Sequence, residues 1–361
     1  GNPFLYYVAS PFESWLSADD IWPRYARAPQ ALTAVTLYDL IPLRFAEQYL
    51  SSDSERESYL ARLDLIRNAD LVLAISESSA RDGIELLDLN PKRIVTIGAG
   101  VSEFWQPAAD RRVALDALRQ LFPALRPGFV FYAGGINFRK NMEGLLRGYA
   151  TVPREIRKKH QLVLTCKMGR DEEKLLSGLA QSLQISADAL FTNYVSDPVL
   201  RNLYQTTDLF VFPSLYEGFG LPLVEAMACG APSITADRSS MREIVDWPEA
   251  RFNPDTPESI GEAIASTLSN DARLQKLRTS CSGIHDRFSW KKVARRAIDA
   301  CCHARENAIR ARRSRSVSRR RPTFAFFSPM PPEPSGIADY SMRLVRALEP
   351  FADVDVFVED I

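Results

Sequence analysis

Residues 216–232 read YEGFGLPLVEAMACGAP, and this stretch decides the fold. The apolar run before it, DLFVFPS at residues 208–214, is typical of a buried strand in a parallel sheet. Pro222 suits the first turn of a helix and Gly230 suits its end, so the sequence predicts a strand, a glycine-containing loop and a helix in succession. In parallel α/β sheets, ligands bind beyond the carboxyl ends of the strands, which is where this loop would lie.

Two glycines and two glutamates indicate what this loop could bind. Gly218 and Gly220 let backbone amides approach a ligand closely, and the N-terminus of the helix favours an anion such as a diphosphate. Glu217 falls in the loop, and Glu225 lies about one turn inside the helix. Carboxylates beside an anion site are unfavourable unless they bind something else, and sugar hydroxyls are good candidates because a carboxylate accepts their hydrogen bonds. The alternative is an ordinary turn with one surface glutamate and one helical glutamate.

Strand-like apolar runs alternate with helical patterns over much of the chain. From residue 128 onward, strands are predicted at 128–135, 161–166, 191–195, 208–214 and 232–236, and helices at 140–152, 172–183, 198–206, 221–229, 257–268 and 271–285. This alternation predicts βαβ units around a parallel sheet. The first hundred residues hold fewer strand-like runs, so we expect an incomplete domain there.

Composition excludes several classes of protein. The chain has 361 residues, enough for two domains, and its 45 Lys and Arg balance its 45 Asp and Glu, so the net charge indicates no nucleic-acid partner. Its three His and five Cys have neither metal-ligand spacing nor a CxxC pair, so we expect reduced thiols and no metal site. No apolar run is long enough to span a membrane. We therefore expect a cytoplasmic globular protein.

The stretch at 216–232 resembles the Glu-x7-Glu motif of glycosyltransferase family 4, the retaining GT-B enzymes. Similar strings are FYAGGINFRKN at 131–141, TNYVSDPVLRNLY at 192–204 and SSMRE at 239–243, while VTLYDLIPL at 35–43 and ISESSARD at 75–82 resemble the family's N-terminal domain. The resemblance implies an α/β chain with the GT-B fold, in which two Rossmann-like domains face a cleft and the N-terminal one is incomplete.

The resemblance implies a role for each matching residue of the central motif. Glu217 matches the carboxylate that contacts hydroxyls of the transferred sugar, and Glu225 matches the one that holds the nucleotide ribose. The amides of Gly218, Phe219 and Gly220 match those near the sugar and the diphosphate.

Upstream of the motif, the resemblance implies a phosphate site and a base site. Lys140 matches the lysine that neutralises the departing diphosphate, and Gly135 lies in the phosphate-binding turn. The family often has an arginine where this chain has Gly135 or Ile136, and Arg139 would compensate for it. The alternative is that Arg139 and Lys140 are charges at the start of a helix. Val195 would contact the base through its backbone.

Asp39 follows a strand at a position where many family members have His-Asp. This chain has Tyr38 in place of the histidine, so the resemblance does not carry that residue's role near the sugar. Two interpretations stay open. Tyr38 and Asp39 bind the acceptor, or Asp39 caps a turn.

The end of the chain adds a basic stretch and a further fold-like segment. Residues 303–322, HARENAIRARRSRSVSRRRP, hold eight Arg against one Glu and form a linker, the end of a helix or a basic surface for anionic lipid. Residues 323–361 resemble the start of a family 4 N-terminal domain, whose glycine loop, with Gly336 here, lies near the donor phosphates. They begin a further module of a longer tandem protein, or they supply the missing strands of the first domain.

We therefore expect a partial acceptor-side domain at 1–110, a nucleotide-sugar-binding domain at 111–302, a linker at 303–322 and the segment 323–361. The implied reaction is retaining transfer of a hexose to a glycan or lipid-linked acceptor in bacterial surface polysaccharide or lipopolysaccharide synthesis, at the inner face of the cytoplasmic membrane. The YDLIPL and GGINFRKN strings favour GDP-mannose as donor. No cofactor or metal is implied, and the site strings contain no Asp-x-Asp motif. The alternative is an inactive GT-B module that scaffolds a polysaccharide-assembly complex.

Overall fold

A computed structural model describes residues 4–12, 18–28, 31–311, 323–328, 330 and 336–358. Residues 312–322 of the Arg-rich stretch and residues 331–335, before Gly336, lie outside the described residues. The chain divides into two compact units, Gly1–Gly100 with Phe288–Ile361 and Val101–Arg287. None of the helices in the described part has the length and apolarity needed to cross a membrane.

Strands and helices alternate through both units. The strands among the described residues are β1 (Phe4–Val8), β2 (Ala31–Leu37), β3 (Leu71–Ala74), β4 (Ile94–Thr96), β5 (Phe129–Ala133), β6 (Gln161–Thr165), β7 (Ala189–Phe191), β8 (Leu209–Phe212), β9 (Ser233–Ala236), β10 (Arg251–Phe252), β11 (Thr323–Phe327) and β12 (Asp353–Phe357). The α-helices are α1 (Ala18–Ile21), α2 (Ile41–Arg44), α3 (Ala46–Tyr49), α4 (Asp53–Asn68), α5 (Glu77–Leu87), α6 (Arg111–Leu121), α7 (Met142–Thr151), α8 (Arg154–Lys159), α9 (Arg170–Ser182), α10 (Asp197–Thr206), α11 (Leu221–Ala228), α12 (Met241–Ile244), α13 (Pro257–Leu268), α14 (Asp271–Ser280), α15 (Ile284–Arg287), α16 (Trp290–Ala311) and α17 (Gly336–Leu348). Short 3₁₀ helices cover Arg24–Arg27, Pro91–Arg93, Phe138–Lys140, Ser186–Asp188 and Pro248–Ala250.

The first unit is built on a parallel sheet with the strand order β12-β11-β1-β2-β3-β4. Four of these strands, β1 to β4, come from the first hundred residues. The other two, β11 and β12, come from the end of the chain. In register, Tyr7 lies opposite Phe326 of β11, and their rings pack edge to face at 5.3 Å. Strand β3 is buried along its whole length, which is why LVLA reads as an unbroken apolar run. The hypothesis of tandem modules stays a prediction.

The boundaries of the two units differ from the expected ones. We expected the second domain to span 111–302, whereas the second unit runs from Val101 to Arg287. Helix α16 belongs to the first unit, where it packs against α17 and Arg296 Nη1 donates to the Ile97 carbonyl at 2.7 Å. Residues 303–311 of the expected linker are the last turns of this helix, since arginine is a good helix former and does not end a helix.

The second unit has the strand order β10-β9-β8-β5-β6-β7, and all neighbouring strands are parallel. The chain starts in the middle at β5, moves out through β6 and β7, and then returns to β8 on the other side. Strands β5 and β8 are therefore neighbours whose connections run to opposite sides of the sheet. This is the switch point at which doubly wound sheets bind ligands. The predicted α/β class with parallel sheets is confirmed in both units.

Two helices of this unit pack unusually closely. Helices α7 and α13 meet at Gly148 and Gly261, and a Cβ on Gly261 would overlap both the Gly148 carbonyl and the Thr151 hydroxyl. This contact fixes the C-terminal half of α7 against α13. The predicted helix 271–285 is interrupted at Gly283, which has a φ of 78°, so α14 and α15 are separate.

Candidate active site

Two loops lie next to each other at the switch point of the second unit. One follows β5 and contains the 3₁₀ turn Phe138–Lys140, and the other follows β8 and leads into α11. Backbone bonds tie them together, since Leu215 N donates to Arg139 O at 2.7 Å and Arg139 Nη1 donates to Tyr216 O at 3.0 Å. Asn141, in a left-handed conformation with φ 56°, ends the turn and adds a bond from its side-chain amide to the Pro213 carbonyl at 3.3 Å.

These loops bring Glu217 against two cations, Lys140 and Arg139. Lys140 Nζ lies 2.6 Å from Glu217 Oε1, and Arg139 Nη1 lies 2.7 Å from Glu217 Oε2. The three side chains are only 8–16% exposed. Burial alone would raise the pKa of Glu217, but Lys140 and Arg139 together more than offset it and hold that pKa below its ordinary value. Two cations therefore flank one buried carboxylate at the carboxyl end of β8, and cations in this place suit an anionic ligand.

Helix α11 begins beside this cluster. Gly220 precedes its first residue with a φ of 106°, a conformation that a side chain would strain, and a Cβ there would lie 3.3 Å from Ile244 Cδ1. Pro222 occupies the first turn, as predicted. The amide groups of the loop and the helix N-terminus therefore lie next to the two cations, an arrangement that favours binding of a phosphate.

Glu225 lies one turn into α11 and is half-buried. Its charge acts on two buried neighbours. Burial raises the pKa of Tyr204 and of Cys229, and Glu225 raises both further. Tyr204 and Cys229 therefore stay neutral beside Glu225, which lies on the helix that follows the loop.

Gly135 and Val195 lie at the same edge of the sheet. The Gly135 carbonyl accepts a hydrogen bond from Tyr132 Oη at 2.8 Å, which fixes the turn after β5. Val195 follows β7 and is half-buried. Before it, Asn193 has a φ of 58° and its side-chain oxygen accepts a bond from Tyr194 N at 2.9 Å, so the loop is held by its own side chain.

Asp39 and Gly336 belong to the first unit. Asp39 Oδ1 accepts from Ile41 N at 3.0 Å and so caps the turn before α2, which was one of the two interpretations left open. Asp39 also lines a cavity of about 730 Å³ together with Tyr38 and other aromatic side chains. Gly336 begins α17, and a Cβ there would meet no other atom within 4 Å, so no steric demand explains a glycine.

Two serines of the SSMRE string, Ser239 and Ser240, form hydrogen bonds with the backbone of the Glu217 loop. Ser239 Oγ accepts from Glu217 N at 2.9 Å. Ser240 Oγ donates to Glu217 O at 2.9 Å and to Phe219 O at 2.7 Å. The available sequence signal was a pair of adjacent serines shortly after β9, the strand next to β8 in the sheet. Within the described part of the chain, no group of three His, Cys, Asp or Glu side chains could hold a metal ion.

Comparison with known proteins gives the family of this region. Residues 117–282 match the family model described as Glycosyl transferases group 1. This region is a group 1 glycosyltransferase domain. It contains the Glu217 cluster, helix α11 and both serines.

Two curated relatives carry mannosyltransferase names. The serotype-specific mannosyltransferase WbdA of Escherichia coli is 32% identical over 298 residues, covering 82% of this chain and 36% of that protein. The O-antigen chain mannosyltransferase B of Escherichia coli is 28% identical over 267 residues, covering 74% and 69% respectively. The chain with its glycosyltransferase domain thus spans about a third of the length of WbdA.

Solved structures give the fold. The Anabaena protein Alr3699/HepE, in complex with UDP and glucose, has a TM-score of 0.67 at 18% identity, covering 83% of this chain and 78% of that one. Sucrose-phosphate synthase from Thermosynechococcus elongatus has a TM-score of 0.65 at 21% identity, covering 85% and 74%. The predicted GT-B fold, with two Rossmann-like units around parallel sheets, is confirmed for this chain.

Proposed function

We propose that this chain is a retaining hexosyltransferase that moves mannose from GDP-mannose to a glycan or lipid-linked acceptor. The observation that carries the proposal is the buried cluster of Glu217 with Lys140 and Arg139, at the switch point and beside the N-terminus of α11. The matching glycosyltransferase model and the mannosyltransferase names of two relatives support it.

In this proposal the donor's diphosphate binds to the two cations and the loop amides. Glu217 uses one oxygen for Lys140 and the other for Arg139, and a carboxylate has about four lone-pair sites. Each oxygen can therefore still accept a hydrogen bond from a sugar hydroxyl. The cations also neutralise the diphosphate as it leaves, and a fixed charge in a buried site is worth far more than in water. No metal or cofactor takes part.

The rest of the donor extends along the edge of the second sheet. Glu225 binds the ribose hydroxyls, and the amides of Gly218, Phe219 and Gly220 contact the sugar and phosphates. The backbone at Val195 contacts the base. A charge-assisted hydrogen bond of the kind assigned to Glu225 is worth about 1.5–3 kcal/mol.

The acceptor binds in the first unit, in the cavity of about 730 Å³ at the ends of β1 and β2. Its lining combines the rings of Tyr38, Tyr49 and Tyr59 with the carboxylate of Asp39. Apolar walls with a few placed polar groups are usual for small-molecule sites, and this mixture suits a sugar. The transfer serves the assembly of a bacterial surface polysaccharide at the cytoplasmic face of the membrane, where the Arg-rich stretch contacts anionic lipid.

The test is a donor panel. The purified protein is incubated with GDP-, UDP- and ADP-sugars, and release of the nucleoside diphosphate is measured together with the anomeric configuration of any product. We expect release from GDP-mannose, retained configuration and loss of release in Glu217→Gln. Glu143→Gln is the matched control, because Glu143 is 65% exposed on the same unit and pairs only with Arg147 among the ion pairs described.

Three outcomes decide the matter. If no donor is consumed while GDP still binds, the protein is the inactive scaffold module of the alternative hypothesis. If another sugar nucleotide is consumed, the family assignment stands and the donor is wrong. If Glu217→Gln and Glu143→Gln turn over equally, the cluster is not the active site.

A further inference from the structure

One buried hydroxyl lies under the loop that joins β8 to α11. Ser240 is 1% exposed, and its single hydroxyl hydrogen lies between two carbonyls, those of Glu217 at 2.9 Å and of Phe219 at 2.7 Å. A hydroxyl shared in this way contacts two peptide groups that are separated by one residue. Ser240 thus fixes the orientation of both groups at once.

The geometry of the peptide bond determines what this orientation does. In a planar trans peptide, the carbonyl of one residue and the amide N–H of the next point in opposite directions. Because the Glu217 and Phe219 carbonyls point at Ser240, the N–H groups of Gly218 and Gly220 point away from it. Two alternate amides that face one side form an anion-binding concavity, and the left-handed φ of 106° at Gly220 is typical of such a turn.

Ser239 binds the backbone N–H of Glu217, the residue whose carbonyl Ser240 binds. Its Oγ accepts from the Glu217 N–H at 2.9 Å, so both backbone groups of Glu217 are bonded to adjacent serines. Ser239 itself has a φ of 38°, which costs a non-glycine residue of the order of 1–3 kcal/mol. A strained residue persists when its surroundings fix it, and here the strained residue carries the hydroxyl that holds Glu217.

We propose that Ser240 is a positioning residue of the donor site, which turns the amides of Gly218 and Gly220 toward the diphosphate, while Ser239 holds Glu217 against Lys140. The inference rests on the proposed donor site. Neither serine touches the substrate. Their effect passes through the peptide groups of the loop.

The experiment compares a nucleotide with and without its diphosphate. Binding of GDP and of guanosine is measured by calorimetry for the wild type, Ser240→Ala and Ser233→Ala, with UDP and uridine in parallel because the base is itself proposed. Ser233 is the matched control, since it is 3% exposed in the same unit and its Oγ also donates to a backbone carbonyl, that of Ala231 at 2.9 Å. We expect Ser240→Ala to weaken GDP binding about tenfold and to leave guanosine binding unchanged. Ser233→Ala should leave the ratio of GDP to guanosine affinity and the ratio of UDP to uridine affinity unchanged.

Ser239→Gly keeps the inference testable if Ser240→Ala does not fold. Glycine relieves the strain of the left-handed backbone and removes the hydroxymethyl side chain, so a purely structural role predicts a more stable protein with unchanged GDP binding. The positioning role predicts a more stable protein with weaker GDP binding. An unchanged ratio of GDP to guanosine affinity in the serine variants would overturn the inference. A wild type that binds neither GDP nor UDP would instead overturn the proposed donor site.

Discussion

Strand β8 has a paired carboxylate at each end, and the two differ in what surrounds them. Asp208, before the strand, accepts from Arg111 Nη2 at 2.9 Å and contacts His160 Nδ1 at 2.9 Å. Glu217, beyond the strand, binds Lys140 and Arg139. In both cases burial would raise the pKa, but the neighbouring hydrogen-bond donors and charges outweigh it and hold the pKa below its ordinary value. Ion pairing and a lowered pKa therefore do not distinguish a functional carboxylate from a structural one.

Position in the sheet does distinguish them. Arg111 also donates to the carbonyls of Thr206 and Thr207, so the group around Asp208 fastens α6 to the turn that enters the sheet. Around Glu217 there are a left-handed glycine, loop amides and the start of a helix instead. Ligands of parallel sheets bind at the carboxyl ends of the strands, where Glu217 lies, whereas the charges around Asp208 at the amino end connect elements of the fold.

The largest expected effect is on transfer. Glu217→Gln keeps the size of the side chain and removes its charge, and we expect the turnover number to fall about a hundredfold to a thousandfold, as for loss of other groups that stabilise charge in a transition state. Asp208→Asn, the same chemical change at the other end of β8, should leave turnover within about twofold of the wild type. Steady-state kinetics with the donor identified by the panel measures both.

A strong loss of turnover in Asp208→Asn, with a normal unfolding transition, would contradict the assignment of a purely structural role to that end. Equal turnover in Glu217→Gln and Asp208→Asn would mean that the two ends of β8 do not differ in function.

The next effect is on stability and its response to ligand. Each variant leaves two cationic or polar partners without their carboxylate. We expect the free energy of unfolding to fall by about 3 kcal/mol in Glu217→Gln, whose side chain is 8% exposed, and by about 2 kcal/mol in Asp208→Asn, whose side chain is 20% exposed. Saturating GDP should narrow the deficit of Glu217→Gln only, since phosphate oxygens take the place of the carboxylate on Lys140 and Arg139. Denaturant unfolding with and without GDP measures this.

If GDP reduces the stability loss of Glu217→Gln and of Asp208→Asn equally, the diphosphate does not bind at the Glu217 cluster. If it narrows neither, the two cations do not contact the phosphates.

Much of the second unit could be predicted from sequence because its strands are buried on both faces. FVFYA of β5 and LFVF of β8 are apolar at every position, and a parallel sheet requires this. The loop at Glu217 was predictable for a similar reason, since glycine and proline occupy positions that only they suit. Helix α6 was not predicted, although Asp110 caps its first turn by accepting from Arg112 N. The helix is amphipathic, with Ala114 and Leu118 buried one turn apart, so a helical signal was present in its sequence.

Pairing across the chain could not be predicted from local pattern. Lys140 and Glu217 are 77 residues apart, and their contact depends on β5 and β8 being neighbours. Likewise, nothing in the TFAFF run of β11 specifies β1 as its partner, because an apolar strand fits any open edge. The roles of Ser239 and Ser240 depend on the path of a loop more than 20 residues earlier in the chain.

The smallest expected effect is on the dependence of stability on pH. It tests the carboxylates at both ends of β8 with the same measurement. A carboxyl group with a folded pKa below its unfolded value stabilises the protein above the unfolded pKa, and this stabilisation is lost as the pH falls through the folded pKa. Ordinary values are 4.5 for Glu217 and 3.8 for Asp208, so the stability difference between wild type and each variant should be constant at neutral pH and shrink below those values. Denaturant unfolding of the wild type, Glu217→Gln and Asp208→Asn across this range measures it. A difference that does not shrink would mean that the carboxyl group is not charged in the folded protein. With GDP bound, the pH at which the stabilisation by the carboxylate is lost should shift for Glu217 alone. Only that carboxylate would share its cations with a second anion.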